Sequence, residues 1–181
     1  MKKICIMSSG KNDIAEIISN RFKDDVVTLI SENSDLDNYD EKYDIVIVWN
    51  YKYSIPDEVF KCPSVIKVHP SLLPAFPENS AIKDAYLSGV KVTGVTICRL
   101  NQDNTYGRII TQYPVLIDNY THYDQLEEEI RKLEKELLPP VIKSVLEDKI
   151  FDIVDFLNDT SNSTGTNIGC GGCKNCGKCS H

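Results

Sequence analysis

Apolar residues run almost unbroken at 3–7 (KICIM) and again at 44–49 (DIVIVW). Runs of this length predict strands buried on both faces, as in the middle of a parallel sheet. Between them, Ile14, Ile17 and Ile18 recur at helical spacing after the Ser8-Ser9-Gly10 turn, and 26–30 reads as a second strand. The acidic, Asn-rich stretch 31–40 predicts a loop or a weak helix. A short helix is expected over 56–61 and a strand over 64–68. A second helix is expected over 79–88, with Ser80 as its cap and Gly89 as its stop. Segments 92–100 and 108–115 alternate or run apolar with β-branched residues and predict two more strands. Leu126, Ile130, Leu133, Leu137, Leu138, Val141, Ile142 and Val145 then share one face of a long helix, with Glu and Lys opposite. Pro139-Pro140 should kink or split that helix. Strands alternating with helices predict an α/β domain, a mostly parallel central sheet flanked by helices. Chemistry on such sheets sits at the carboxyl ends of the strands.

Composition changes the picture at the C-terminus. Residues 158–169 (NDTSNSTGTNIG) are polar and rich in Gly, Ser, Thr and Asn, the make-up of a flexible linker. The expected organisation is an α/β domain over 1–156, a flexible linker over 157–169 and a Cys-rich tail over 170–181. The formal charge of −7 argues against a nucleic-acid partner, because phosphate backbones are held by clustered Lys and Arg. No apolar run approaches the ~20 residues that span a bilayer, so no membrane partner is expected. The start, MKKICIM, is too short in apolar residues for a signal peptide, and a cytoplasmic location is expected.

Among the three histidines, His69 ends the strand 64–68 and is followed at once by Pro70-Ser71-Leu72-Leu73-Pro74. An imidazole at a strand's carboxyl end, in a proline-bounded loop, suits acid–base work or carbonyl polarisation. A histidine that merely structures its own turn has the same local pattern.

The surrounding residues add to this. VHPSLLPAFP at 68–77 resembles the signature loop of the folate-dependent formyltransferase family, most of all the glycinamide ribonucleotide type. SSGKNDIAEII at 8–18, DIVIVWNYKYSIP at 44–56, GVKVTGVTICRL at 89–100, GRIITQYPV at 107–115 and EKELLPPVI at 134–142 resemble further landmarks of that family, in order. The resemblance implies a Rossmann-like formyltransferase fold and transfer of a formyl group from 10-formyltetrahydrofolate to a small-molecule amine. It implies that Ser9, Gly10, Lys11 and Asn12 lie where a substrate phosphate is held. Trp49, Asn50 and Tyr51 would border the folate pocket, and Glu134 would meet the substrate ribose, although a Glu on a charged helix face is ordinarily just solvated.

The family's chemistry uses an Asn two residues before the His, the His, and an Asp on a later loop. Here His69 is kept, Lys67 stands at the Asn position and Thr105 at the Asp position, and Glu78 replaces a glycine after the signature loop. Lys67 can still donate to an oxyanion, and its charge would keep a neighbouring imidazole neutral. Asp103 would supply the missing carboxylate if its loop is re-threaded. The alternative is a catalytically inactive scaffold of this family that binds a ligand and leaves the activity to its tail.

That tail, CGGCKNCGKCSH, places Cys170, Cys173, Cys176 and Cys179 at uniform spacing, in a segment with too little apolar neighbourhood for packing to explain them. The pattern points to a metal. C-x2-C-x2-C opens the bacterial ferredoxin motif, and one tight loop wraps a cubane more readily than a single ion, which favours [4Fe–4S]. Zinc, with His181 as a further ligand, is the alternative, and an unmetallated thiol tail the third. The tail would serve a redox, regulatory or metal-handling role, or join the chain to a protein partner or a second copy.

Overall fold

A computed structural model describes residues 1–9, 13–31, 39, 42–151, 153 and 157. The chain divides into two units, Met1–Phe151 and Asp152–His181. The linker and the four tail cysteines lie outside the described residues, as do Gly10, Lys11, Asn12 and most of 31–40.

The first unit runs β1 (Lys3–Met7), α1 (Ile14–Arg21), β2 (Val26–Ile30), β3 (Ile45–Trp49), a 3-10 turn (Asp57–Lys61), β4 (Val65–His69), α2 (Ala81–Ser88), β5 (Val92–Leu100), β6 (Tyr106–Leu116) and α3 (Tyr123–Leu146). One six-stranded sheet has the order β2-β1-β3-β4-β5-β6. The first four strands pair in parallel, while β5 and β6 are antiparallel to their neighbours. Every residue of β3 is buried, as its unbroken apolar run requires at the centre of a parallel sheet. Alternation then sorts the layers. Cys5, Met7, Val46, Val48 and Val65 pack on one face with Val59 of the 3-10 turn. Ile4, Ile6, Ile45, Ile47 and Ile66, all fully buried, point to the other, which carries the helices.

Two local expectations are corrected. Pro139 and Pro140 do not split α3, which runs through both to Leu146. Two proline rings each remove a helical N–H bond. Leu137, Leu138, Val141 and Ile142 flank them with no exposed surface, and this burial on both sides outweighs the lost bonds. Ser80 stands at the N-cap of α2, but its hydroxyl donates to Asp84 Oδ2 rather than capping a backbone N–H. Gly89 ends α2 as expected, in the left-handed region at φ 72°.

The turn after β4 is held from below. Thr96 of β5 donates to the Ser71 carbonyl at 2.6 Å and accepts from the Leu73 N–H at 3.0 Å. Gln112 of β6 donates to the Leu73 carbonyl at 2.8 Å. Ser71 donates to the carbonyl of Ala75 at 2.5 Å. These bonds satisfy a buried, irregular backbone and fix the loop against the antiparallel half of the sheet.

Candidate active site

His69 is the last residue of β4 and is 3% exposed. Beside it, at the carboxyl ends of β3 and β4, lies a cavity of about 310 Å³. Lys67, Val68, His69 and Pro70 form one wall, and Asn50, Tyr51 and Lys52, which follow β3, form another. Arg131 and Glu134 of α3 close the third side, and Asn79 lines it from just after the signature loop. The position matches the rule that open α/β sheets bind ligands beyond the carboxyl ends of their strands.

Both ring nitrogens of His69 are occupied. Nε2 lies 2.8 Å from the Phe76 carbonyl oxygen, and Nδ1 lies 3.0 Å from the Tyr106 hydroxyl. Burial lowers the imidazole's pKa, and the Lys67 charge adds to this, against the Phe76 carbonyl and Glu78, which raise it. The expected influence of Lys67 is therefore present, but it is smaller than both desolvation and the opposing bond to the Phe76 carbonyl. The Lys67 ammonium sits over the Tyr106 ring, 4.9 Å from its centroid. Burial lowers its pKa as well, opposed by the neighbouring Cys98. Among the described residues no carboxylate pairs with Lys67.

Asp103 does not reach His69. It accepts from the Thr105 backbone N–H at 3.0 Å and from the Thr105 hydroxyl at 2.5 Å, so the two residues close their own exposed turn. Neither lines the cavity. An Asp two residues before an N–H finds that donor locally at little entropic cost, and this wins over a re-threaded loop. Tyr106, one residue further on, makes the contact with the imidazole instead.

Glu134 lines the cavity, where the resemblance would place it, and it is not the solvated residue that its helix face suggests. It is 1% exposed. Trp49 shares the sheet face of Ile45 and Ile47, so its indole turns towards α3 and donates to Glu134 Oε2 at 2.8 Å. Arg131 donates to the same oxygen at 2.9 Å. Glu134 Oε1 has no hydrogen-bond partner among the described residues. Burial raises the carboxyl's pKa against the opposing pull of Arg131 and Trp49. Trp49 is thus a tie between β3 and α3 and does not line the cavity, whereas Asn50 and Tyr51 do. Ser9 accepts from the Lys52 N–H at 2.9 Å, which joins the β1 turn to the loop after β3.

A profile described as formyl transferase matches residues 27–142, more than half of the chain. The chain belongs to the formyl transferase family. It is 42% identical over 82 residues to a phosphoribosylglycinamide formyltransferase of Bacillus subtilis, covering 45% of this chain and 42% of that protein. It is 32% identical over 120 residues to a methionyl-tRNA formyltransferase of Ehrlichia chaffeensis, covering 65% of this chain and 39% of that one. The chain thus spans about two fifths of the length of these curated relatives. The crystal structure of a phosphoribosylglycinamide formyltransferase from Bacillus halodurans superposes with a TM-score of 0.66 at 24% identity, covering 80% of this chain and 95% of that one. A formyltetrahydrofolate deformylase from Pseudomonas syringae superposes with a TM-score of 0.69 at 22% identity, covering 83% and 66%. These superpositions establish the formyl transferase fold. The Rossmann-like α/β architecture expected from the sequence is the one observed, as a mixed sheet with three parallel and two antiparallel pairings.

Three cavity or site residues were not legible in the sequence. Asn79 follows Glu78 directly, and its closeness to the signature loop was the available signal. Arg131 stands three residues before Glu134, the spacing of a helical ion pair. Tyr106 gave no signal, because its approach to His69 depends on how β6 pairs with β5.

Among the described residues no helix is long and apolar enough to cross a membrane, and no group of three or more His, Cys, Asp or Glu could hold a metal.

Proposed function

We propose that this chain transfers a formyl group from 10-formyltetrahydrofolate to a small-molecule amine. The amine nitrogen attacks the formyl carbon, and the carbonyl oxygen becomes an oxyanion held by the Lys67 ammonium. Collapse breaks the bond to N10 of the folate, which takes up a proton while the attacking amine gives one up. His69 stands beside Lys67 on the wall of the cleft where these protons move. The observation that carries the reading is one cleft lined by both Lys67 and Glu134, a buried carboxylate with one oxygen unfilled among the described residues. A carboxylate on the cleft wall suits an acceptor bearing hydroxyl or amine donors, such as a ribosyl or sugar amine. Thr105 and Asp103 shape the turn that delivers Tyr106, and Ser9 to Asn12 are the proposed hold on an acceptor phosphate.

Trp49 is the chain's one tryptophan, and it is bonded to Glu134 on the cavity wall. Titration with a reduced folate analogue is expected to give a saturable change in its emission and a rise in Tm. Neither signal at high concentration of the analogue overturns the reading.

One observation favours a second reading: both nitrogens of His69 are satisfied within the protein. On that reading the chain binds a ligand without catalysis, and His69→Ala leaves its biological activity intact while the tail cysteines remain essential. We further propose that 170–181 holds a [4Fe–4S] cluster, or zinc, through Cys170, Cys173, Cys176 and Cys179, tethered by 157–169 to a domain over 1–156. A reducing cytoplasm would keep these thiols free for metal, and the same tail would contact a protein partner or a second copy. Anaerobically purified full chain is expected to carry iron and sulfide in equal amounts. Zinc alone overturns the cluster, and no metal overturns the site.

A further inference from the structure

A carbonyl oxygen accepts hydrogen bonds and never donates them, and this fixes where the protons around His69 sit. Nε2 faces the Phe76 carbonyl at 2.8 Å and therefore carries a hydrogen. Nδ1 faces the Tyr106 hydroxyl at 3.0 Å, and that same hydroxyl lies 2.7 Å from the Pro77 carbonyl oxygen. With a neutral imidazole, the phenol has one proton for two acceptors, Nδ1 and the Pro77 carbonyl. With a charged imidazole the row fills completely. Nδ1–H donates to the phenol oxygen, the phenol proton turns to Pro77, and Nε2–H stays on Phe76.

We propose that Tyr106 is a positioning residue for His69, a neutral relay that takes the place of an orienting carboxylate. It holds the ring beside the cavity and steadies the imidazolium by turning its own hydroxyl hydrogen to the Pro77 carbonyl, which leaves the phenol oxygen free to accept from Nδ1–H. The catalytic use of this device rests on the formyl-transfer reading, in which the fixed ring stands beside Lys67 on the wall of the cleft. The geometry supports the role beyond a single bond. The two rings meet edge to face with centroids 5.1 Å apart, and the Lys67 ammonium caps the Tyr106 ring. A carboxylate in the phenol's place would pair with Lys67 and draw that charge away from the cleft. A phenol orients the imidazole and leaves Lys67 unpaired. The charged groups that act on His69 are Lys67 from its own strand, which disfavours the imidazolium, and Glu78 just after the signature loop, which favours it. Asp103 spends its carboxylate on Thr105.

The test is ¹⁵N and ¹H NMR of the full chain, whose three histidines make the ring signals assignable with a His69→Asn variant. Neutral His69 is expected to carry its hydrogen on Nε2, with Nδ1 showing the ¹⁵N shift of a hydrogen-bonded acceptor. Tyr106→Phe keeps the ring packing and the cap over Lys67 and removes only the hydroxyl. It should move Nδ1 to the shift of an unbonded acceptor and lower the titration midpoint of His69 by about one pH unit, because the bond to the charged ring is the stronger one. Under formyl transfer the same variant lowers kcat with the KM for folate unchanged. A hydrogen on Nδ1 in the neutral wild-type ring, or an Nδ1 shift unmoved in Tyr106→Phe, overturns the proposal. If Tyr106→Phe does not fold, the wild-type tautomer and Nδ1 shift decide alone. A failed folate titration beside an intact NMR signature removes the formyl-transfer reading and leaves the positioning role standing.

Discussion

Under the proposed formyl-transfer reading, replacing Lys67 by methionine is expected to slow the reaction by ~10²–10³-fold, the usual cost of losing an oxyanion donor. Methionine keeps an unbranched apolar stem, so the cavity wall stays filled while the charge, and with it the cation–π contact to Tyr106, goes. Lys67 is suited to the task for three reasons. It lines the cleft, it has no carboxylate partner among the described residues, and it is half-buried, where attraction to an oxyanion is stronger than in water. Folate binding should change only a few-fold, because the oxyanion exists in the transition state and not in the bound substrate. Lys67→Asn, which restores a neutral donor, is expected to recover part of the rate. The wild-type profile carries a sign of its own. The ammonium is the active form and burial lowers its pKa, so the rate falls with rising pH below the ordinary lysine range. Single-turnover assays with saturating folate check both points. A methionine variant within threefold of wild type would move the oxyanion role to Asn79, which lines the cleft just after the signature loop.

Gly94→Ala is expected to cost about 3–5 kcal/mol, at the upper end of single substitutions. Gly94 sits opposite Pro114 in the β5–β6 ladder. A Cβ there would drive into the Tyr113 carbonyl oxygen, and would lie 2.8 Å from Leu72 Cδ2 and 3.0 Å from Pro114 Cα. Two of those three atoms are backbone of the neighbouring strand, so relief requires prising β6 from β5. Glycine inside a strand often marks such a close approach. Leu72 belongs to the turn that carries His69, and displacing it disturbs the bonds from Thr96 and Gln112 that hold that turn. The expected result is a shift to lower urea midpoint together with altered ring signals of His69. A cost below about 1 kcal/mol would show that the two strands separate more easily than their close approach indicates.

The order of elements was readable from pattern alone, and the place of the cleft from the histidine turn together with the family resemblance. A continuous apolar run such as 44–49 has one stable home, between two packed layers, and a histidine at the next strand's end in a proline-bounded turn lies at the sheet's working edge. These features are local, or repeat with a local period, so neighbouring residues suffice to specify them. The contacts that give the cleft its chemistry were not readable. Glu134 occupies a charged helix face, and its burial follows from the parity that turns Trp49 towards α3 across 85 residues of sequence. Tyr106 reaches His69 because β6 lies antiparallel to β5 with two register shifts near Cys98. The two prolines of α3 argue locally for a break, and the packing of Leu137, Leu138, Val141 and Ile142 overrules them. In each case the deciding free energy comes from groups distant in the chain, through desolvation and ladder register, and no window along the sequence contains both partners.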